Sequence, residues 1–229
     1  MFKNKHLLVI VPHRGVNAGK SRLSAVLTDV ARGKLNRWLL VRTLHVVSTW
    51  LGDAQRCVVV SPCEVTLALA RKAGAVALPE QASTAGLNAA LSQAAAHAAS
   101  LGAERLLILP CDLPRLDVDA LEIMQTTASF GKDSVIAPDR HHTGTNALLV
   151  NADVREFAFG KDSLARHIAL GEARGVRTFP CIHAALAFDL DTAIDFADWI
   201  NSDDVPTDFV ATLPRTASHG TGFVSSRTK

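Results

Sequence analysis

The sequence predicts an α/β domain built on a mostly parallel sheet. Three observations carry this. Short apolar runs alternate with stretches of helical period along most of the chain, the pattern of repeated strand–helix units. The runs are apolar at consecutive positions rather than at every second one, as in strands covered on both faces. Most are closed at once by proline or glycine, which punctuate elements. The central run is Leu106–Leu109, stopped by Pro110 and followed by Asp112. In an open α/β sheet, ligands gather beyond the carboxyl ends of the strands. A carboxylate there is placed to hold a hard cation such as Mg²⁺. An aspartate before Leu-Pro also serves as a turn former.

The elements follow in order. Leu7–Val11 reads as the first strand, ended by Pro12. The next stretch, His13 to Arg22, holds two glycines and three cations (Arg14, Lys20 and Arg22). Such a loop can wrap a polyphosphate, because glycines let the backbone approach and cations neutralise charge. It is not a Walker A loop, which needs glycine where Arg14 stands; a solvated basic loop is the alternative. Residues 35–51 read as a helix, with Leu40, Leu44, Val47 and Leu51 on one face and Trp38 and Trp50 as packing residues. Cys57–Val60 is a strand, 65–73 a helix closed by Gly74, and 75–78 a strand. A helix from Thr84 to about Leu101, capped by Ser83 or Thr84, has Asn88 in its first turn. There Asn88 is either a polar-ligand contact or a surface amide.

After the central strand, 117–128 reads as a helix and 134–137 as a strand. The polar loop 138–146 runs into the strand 147–150. Its neighbouring His141 and His142 lack the spacing of metal ligands, and Gly144-Thr145-Asn146 is better suited to hydrogen-bond a ligand. Phe157 to Ser163 opens a helix that includes Arg166 and His167. Gly160, Lys161 and Ser163 at its start make a phosphate seat, with plain capping by Asp162 or Ser163 as the alternative. Val176–Phe179 is a strand, and Ala184–Phe188 reads as another. It delivers Asp189-Leu190-Asp191, whose carboxylates can face one cation together; Asp191 is also a candidate cap for the helix 192–200. Residues 1–201 read as a single domain and 202–229 as a flexible tail rich in Ser, Thr and Gly.

Composition narrows the partners. Of 229 residues 48% are apolar and the net charge is +2. No basic footprint for nucleic acid appears, and no apolar stretch reaches membrane-spanning length or forms a signal-peptide core. Cys57, Cys63, Cys111 and Cys181 form no Cys-x-x-Cys pair, as expected of free thiols in a reducing cytoplasm. The apolar richness leads to the expectation of a homodimer. Lys20, Asp112, Thr145, Asp189 and Asp191 all fall at strand ends. Together they offer phosphate-binding cations and three carboxylates for Mg²⁺, which suits nucleotidyl transfer.

At this point the sequence resembles a known family. Lys20-Ser21-Arg22-Leu23-Ser24, Leu87-Asn88-x-Ala90-Leu91, Asp112-Leu113-Pro114, Gly144-Thr145-Asn146-Ala147-Leu148, Phe159-Gly160-x-x-Ser163 with His167, and Asp189-Leu190-Asp191 occur in this order over about residues 6–200. They resemble the 2-phospho-L-lactate guanylyltransferase family. The resemblance implies a Rossmann-like sheet of the nucleotide-diphospho-sugar transferase type. It also implies transfer of a guanylyl group from GTP to a small phospho-acid: 2-phospho-L-lactate, phosphoenolpyruvate or 3-phospho-D-glycerate. The product would pass to a downstream transferase that builds the deazaflavin coenzyme F-420. Asp112, Asp189 and Asp191 match the family's Mg²⁺ ligands, and Thr145, Gly160 and Ser163 match its phospho-acid contacts. Lys20 and Arg22 would face the GTP phosphates, Asn88 the nucleoside, and Lys20 and Asp112 would be the catalytic pair. A cytidylyl- or molybdopterin-type nucleotidyltransferase of the same fold, and a non-catalytic nucleotide-binding regulator, are the alternatives.

Overall fold

The apolar runs become the strands of one sheet: β1 (Leu7–Pro12), β2 (Cys57–Ser61), β3 (Val76–Pro79), β4 (Arg105–Ile108), β5 (Ser134–Pro138), β6 (Thr145–Asn151) and β7 (Thr178–Pro180). The computed structural model describes residues 6–81, 86–128 and 132–202, with Val205 and Phe209. The strand order is β3-β2-β1-β4-β6-β5-β7. β1 pairs in parallel with β2 and β4, β2 with β3, and β5 with β7. β6 is antiparallel to both β4 and β5, so it alone runs against the rest.

Two consequences position the site. The chain moves outward from β1 to β3, then returns to place β4 on the other side of β1. The crevice between the ends of β1 and β4 is therefore a switch point, where open α/β sheets bind ligands. Because β6 is reversed, its first residue, Thr145, stands at the same edge of the sheet as the carboxyl ends of the other strands.

The helices are α1 (Asp29–Leu51), α2 (Glu64–Lys72), α3 (Leu87–Ser100), α4 (Val118–Thr127), α5 (Ser163–Ala173), α6 (Ala184–Ala187) and α7 (Ala193–Ile200). Alternate strand residues point to opposite faces and feed two cores. Val9, Val11, Leu107 and Leu109 pack with Leu44 and Val47 of α1 and with Leu121 of α4. Leu8, Ile10, Leu106 and Ile108 pack on Ala90, Ala94, Ala95 and Ala98 of α3. That alanine face lets α3 sit close to the sheet.

The structure corrects several boundaries. α1 starts at Asp29, because Thr28 Oγ1 accepts from Ala31 N–H, a cap that restarts the helix before its apolar period is visible. Ala184–Ala187 is helix, not strand: His183 Nδ1 accepts from Ala185 N–H and caps the alanine run. Thr192, not Asp191, caps α7, in a capping box with Asp195. α5 begins at Ser163; Phe157–Gly160 lies outside it because Phe157 and Phe159 are drawn into the α3-side core. Ser83 and Thr84, the candidate caps of α3, lie outside the described residues, as does most of the stretch read as a tail. Within that stretch, however, Phe209 is fully buried, with its ring 5.1 Å from Trp38 and 4.9 Å from Trp199.

Candidate functional site

The loop after β1 is shaped by backbone. Gly15 (φ +136°) and Gly19 (φ +82°) take conformations closed to most side chains. A Cβ on Gly15 would stand 3.0 Å from Cys63 Cβ. Asn36 on α1 fastens the loop by donating to the carbonyls of Val16 (3.2 Å) and Ala18 (3.0 Å). His13 Nδ1 accepts from Gly15 N–H at 3.2 Å and lies 3.0 Å from Thr66 Oγ1. Burial, and then the Lys20 charge, lower its pKa to about 4, so the ring is neutral at pH 7 with its proton on Nε2.

This loop delivers Lys20 to the crevice. Its Nζ donates to the Leu190 carbonyl at 2.7 Å and lies 3.6 Å from Asp191 Oδ1. Leu190 N–H donates in turn to the Asp112 carbonyl at 3.0 Å. Lys20, Asp112 and Asp191 line one cleft of about 680 Å³ together with His13, Gly86 and Ala90. A larger cavity of about 760 Å³ lies between β6 and α5. None of the three aspartates lines it, so the chemistry points to the smaller cleft.

The carboxylates feel one another. Burial raises the Asp112 pKa, Lys20 opposes the rise and Asp191 adds to it. Asp189 is pushed up to about 6 by burial, then by Asp112 and Asp191. A divalent cation would relieve this repulsion, and an all-oxygen donor set suits Mg²⁺. Among the described residues no three His, Cys, Asp or Glu side chains close into a ready-made cage. Such a cation would complete its shell with phosphate oxygens and water, as Mg²⁺ usually does.

A frame behind the cleft holds Asp189 and Asp191. Arg140 Nη2 donates to Asp195 Oδ1 (2.6 Å) and to the Asp189 carbonyl (3.2 Å). Asp195 Oδ2 accepts from the N–H groups of Asp191 (2.9 Å) and Thr192 (2.6 Å). The guanidinium groups of Arg140 and Arg115 stand 4.5 and 4.1 Å from the Phe188 ring centre, cation–π contacts that fix the residue before Asp189. Sequence reasoning missed Arg140 and Asp195. The available signal was the Thr192-x-x-Asp195 spacing of a capping box.

The expected acceptor contacts form a second, uncharged cluster, whose Thr145, Gly160 and Ser163 are not among the residues lining the cleft. Thr145 and Ser163 are buried. Thr145 Oγ1 lies 3.0 Å from His167 Nδ1, and His167 Nε2 accepts from Ala158 N–H at 3.0 Å. Nε2 is therefore the acceptor nitrogen and Nδ1 carries the proton. His167 thus donates to Thr145, whose hydroxyl keeps a hydrogen of its own to donate. Burial, and then Arg166, lower the His167 pKa to about 4, which keeps this arrangement neutral. Gly160 takes φ +120° with nothing within 4 Å of a Cβ built on it. Asp162 occupies the cap position of α5 without a side-chain capping bond. Two expected residues stand apart. Arg22 is exposed on the short turn Ser21–Leu23. Asn88 has both ends of its amide engaged with the backbone of Phe159.

The family described as "Guanylyl transferase CofC like" matches residues 7–207. The chain belongs to this family. A phosphoenolpyruvate guanylyltransferase of Rubrobacter xylanophilus is 36% identical over 192 residues, covering 83% of this chain and 92% of the relative. A 3-phospho-D-glycerate guanylyltransferase of Phenylobacterium zucineum is 36% identical over 192 residues, covering 81% and 86%. Among solved structures, a protein described as a nucleotide-diphospho-sugar transferase from Desulfovibrio desulfuricans superposes with a TM-score of 0.67 at 16% identity, covering 86% and 87% of the two chains. That likeness shows the fold.

Proposed function

We propose that this guanylyl transferase joins GTP to the phosphate of a small phospho-carboxylic acid. Phosphoenolpyruvate is the first candidate and 3-phospho-D-glycerate the second, after the two relatives above; 2-phospho-L-lactate is the third. One acceptor phosphate oxygen attacks the α-phosphorus, a new P–O–P bond forms, and the bond to the β-phosphate breaks to release pyrophosphate. The observation that carries this reading is Lys20 held between the Leu190 carbonyl and Asp191, in the cleft that Asp112 lines. On this reading a held cation would face the polyphosphate charge as it develops.

Asp112, Asp189 and Asp191 would hold Mg²⁺, which when bound neutralises charge on the leaving pyrophosphate. Lys20 orients the β- and γ-phosphates, with Arg22 at the rim. Thr145 donates to the acceptor phosphate through its hydroxyl, and the backbone at Gly160 and Ser163 seats that phosphate in line. No side chain need act as a nucleophile, because the acceptor is already an anion. We place the product before a transferase that consumes it in the assembly of coenzyme F-420. No described helix is long and apolar enough to cross a membrane. The four free thiols favour a cytoplasmic setting, and a homodimer is expected, which light scattering at one-chain mass would refute.

The test is pyrophosphate release from GTP and Mg²⁺ with each acid supplied separately. Release with one acid supports the reading; GTP binding without release for any of the three rejects these acceptors.

A further inference from the structure

The segment from Arg155 to Gly160 has no regular secondary structure, yet side chains from two helices hold its backbone. From α3, Asn88 Nδ2 donates to the Phe159 carbonyl (3.1 Å) and Asn88 Oδ1 accepts from Phe159 N–H (2.9 Å). This reciprocal pair copies the bonding of a neighbouring strand. One turn on, Ser92 Oγ donates to the Arg155 carbonyl. From α5, His167 Nε2 accepts from Ala158 N–H (3.0 Å) while Nδ1 orients Thr145. The His167 ring also meets Phe159 edge-on, with centroids 4.7 Å apart. The strap formed by these bonds ends at Gly160, the residue that opens the acceptor seat. Gly86, Leu87 and Ala90, around the start of the same α3, line the nucleotide cleft. The start of α3 therefore serves both halves of the site.

We propose that Asn88 and His167 are positioning residues for the acceptor: by fixing residues 158 and 159 they set where Gly160 and the Thr145 and Ser163 hydroxyls stand. This moves Asn88 from the nucleoside side, where the family resemblance puts it, to the acceptor side. The inference rests on the proposed function above and adds two residues that touch no reacting atom. Burial explains why the strap needs them. Phe157, Ala158 and Phe159 are all buried, and a buried peptide group without a partner is strongly disfavoured.

The test separates the two ligands. Calorimetry measures GTP binding, and separately the binding of phosphoenolpyruvate and of 3-phospho-D-glycerate in the presence of Mg²⁺, for wild type, N88D, H167Q and H167N. N88D removes the donor to the Phe159 carbonyl. H167Q removes the donor to Thr145, whereas H167N keeps a donor near the position of Nδ1. The expected result is acid affinity weakened about tenfold in N88D, in H167Q, which loses the donor to Thr145, and in H167N, which loses the acceptor for Ala158 N–H, the worth of one well-placed hydrogen bond each. GTP affinity stays within about twofold, since on this reading both side chains act on the acceptor seat, through the strap and through Thr145. Unchanged acid affinity in the folded variants, or GTP affinity falling in step, overturns the inference. Wild-type protein that binds neither acid, nor 2-phospho-L-lactate, overturns the proposed function instead, and the inference with it.

Discussion

On the proposed function, the two halves of the site would hold their ligands by different physics. The nucleotide half is charged and partly open: Lys20, Asp112, Asp189 and Asp191 come from three separate loops tied by backbone hydrogen bonds. The proposed acceptor half is uncharged, with Thr145, Ser163 and His167 all buried and the hydrogen bonds of Thr145 and His167 fixed in direction. Charge without fixed direction suits a polyphosphate, whose many oxygens satisfy a cation in several ways. Direction without charge suits a choice among acids that differ by a few atoms, because a site built to hydrogen-bond one group rejects an analogue that lacks it. Affinity for GTP should therefore be lost by removing charge, and acid selectivity by misaligning a neutral group.

The largest effect expected on the charged half is at Asp112. Asp112→Asn should lower kcat by on the order of 10²–10³, the scale of losing one preorganised electrostatic group, while the melting temperature holds or rises because an unfavourably buried charge is gone. Turnover within tenfold of wild type would remove Asp112 from the machinery. Next comes the frame. Asp195→Asn gives up the charge that Arg140 pairs with and that accepts two N–H groups. Loss of such outer support costs about 10–100-fold in metal affinity or activity, so the Mg²⁺ concentration for half-maximal rate should rise. A lower rate at an unchanged Mg²⁺ requirement would show that the frame does not act on the carboxylates.

The comparison also explains what was legible in the sequence. Charged residues at strand ends advertise themselves: Lys20, Asp112, Asp189 and Asp191 follow or precede apolar runs, and Lys20, Asp112 and Asp191 line one cleft, with Asp189 close enough to feel both carboxylates. The sheet was legible for the same reason, since buried parallel strands leave unbroken apolar runs. The neutral half was harder to read. Thr145 and Ser163 stand out only through motifs, and the contacts of His167 and Asn88 depend on which backbone atom each meets 9 and 71 residues away. No local pattern encodes such a pairing. Ala184–Ala187 failed differently: four alanines and leucines fit a strand and a short helix equally well, and the deciding group was the imidazole of His183.

Acid should separate the halves again, with a smaller effect. His13 and His167 both have pKa values lowered to about 4. The stability each contributes is present above the unfolded value of about 6.5 and is lost as pH falls through about 4. Asp189 is raised to about 6, so its contribution has the opposite sign: it is present below the ordinary carboxylate value and lost as pH rises through about 6. In the nucleotide half His13 and Asp189 largely offset each other between pH 4 and 6.5. In the acceptor half His167 has no such partner. His167→Asn should therefore flatten the fall in melting temperature over that window, and Asp189→Asn should steepen it. Parallel profiles for wild type and both variants would break the comparison.

The smallest effect belongs to Arg22. Its turn is anchored by Leu23, which is fully buried, while Arg22 itself, two residues after Lys20, is exposed. Lys20 differs in kind: its side chain is 9% exposed and its ammonium is tied at 2.7 Å. A charge in water at a few ångströms contributes about 1 kcal/mol, and salt screens it. Arg22→Gln should raise the KM for GTP by no more than about threefold, with the difference gone at high ionic strength. A tenfold rise that survives salt would mean that the 21–23 turn closes over the nucleotide. The charged half would then be as directional as the neutral one.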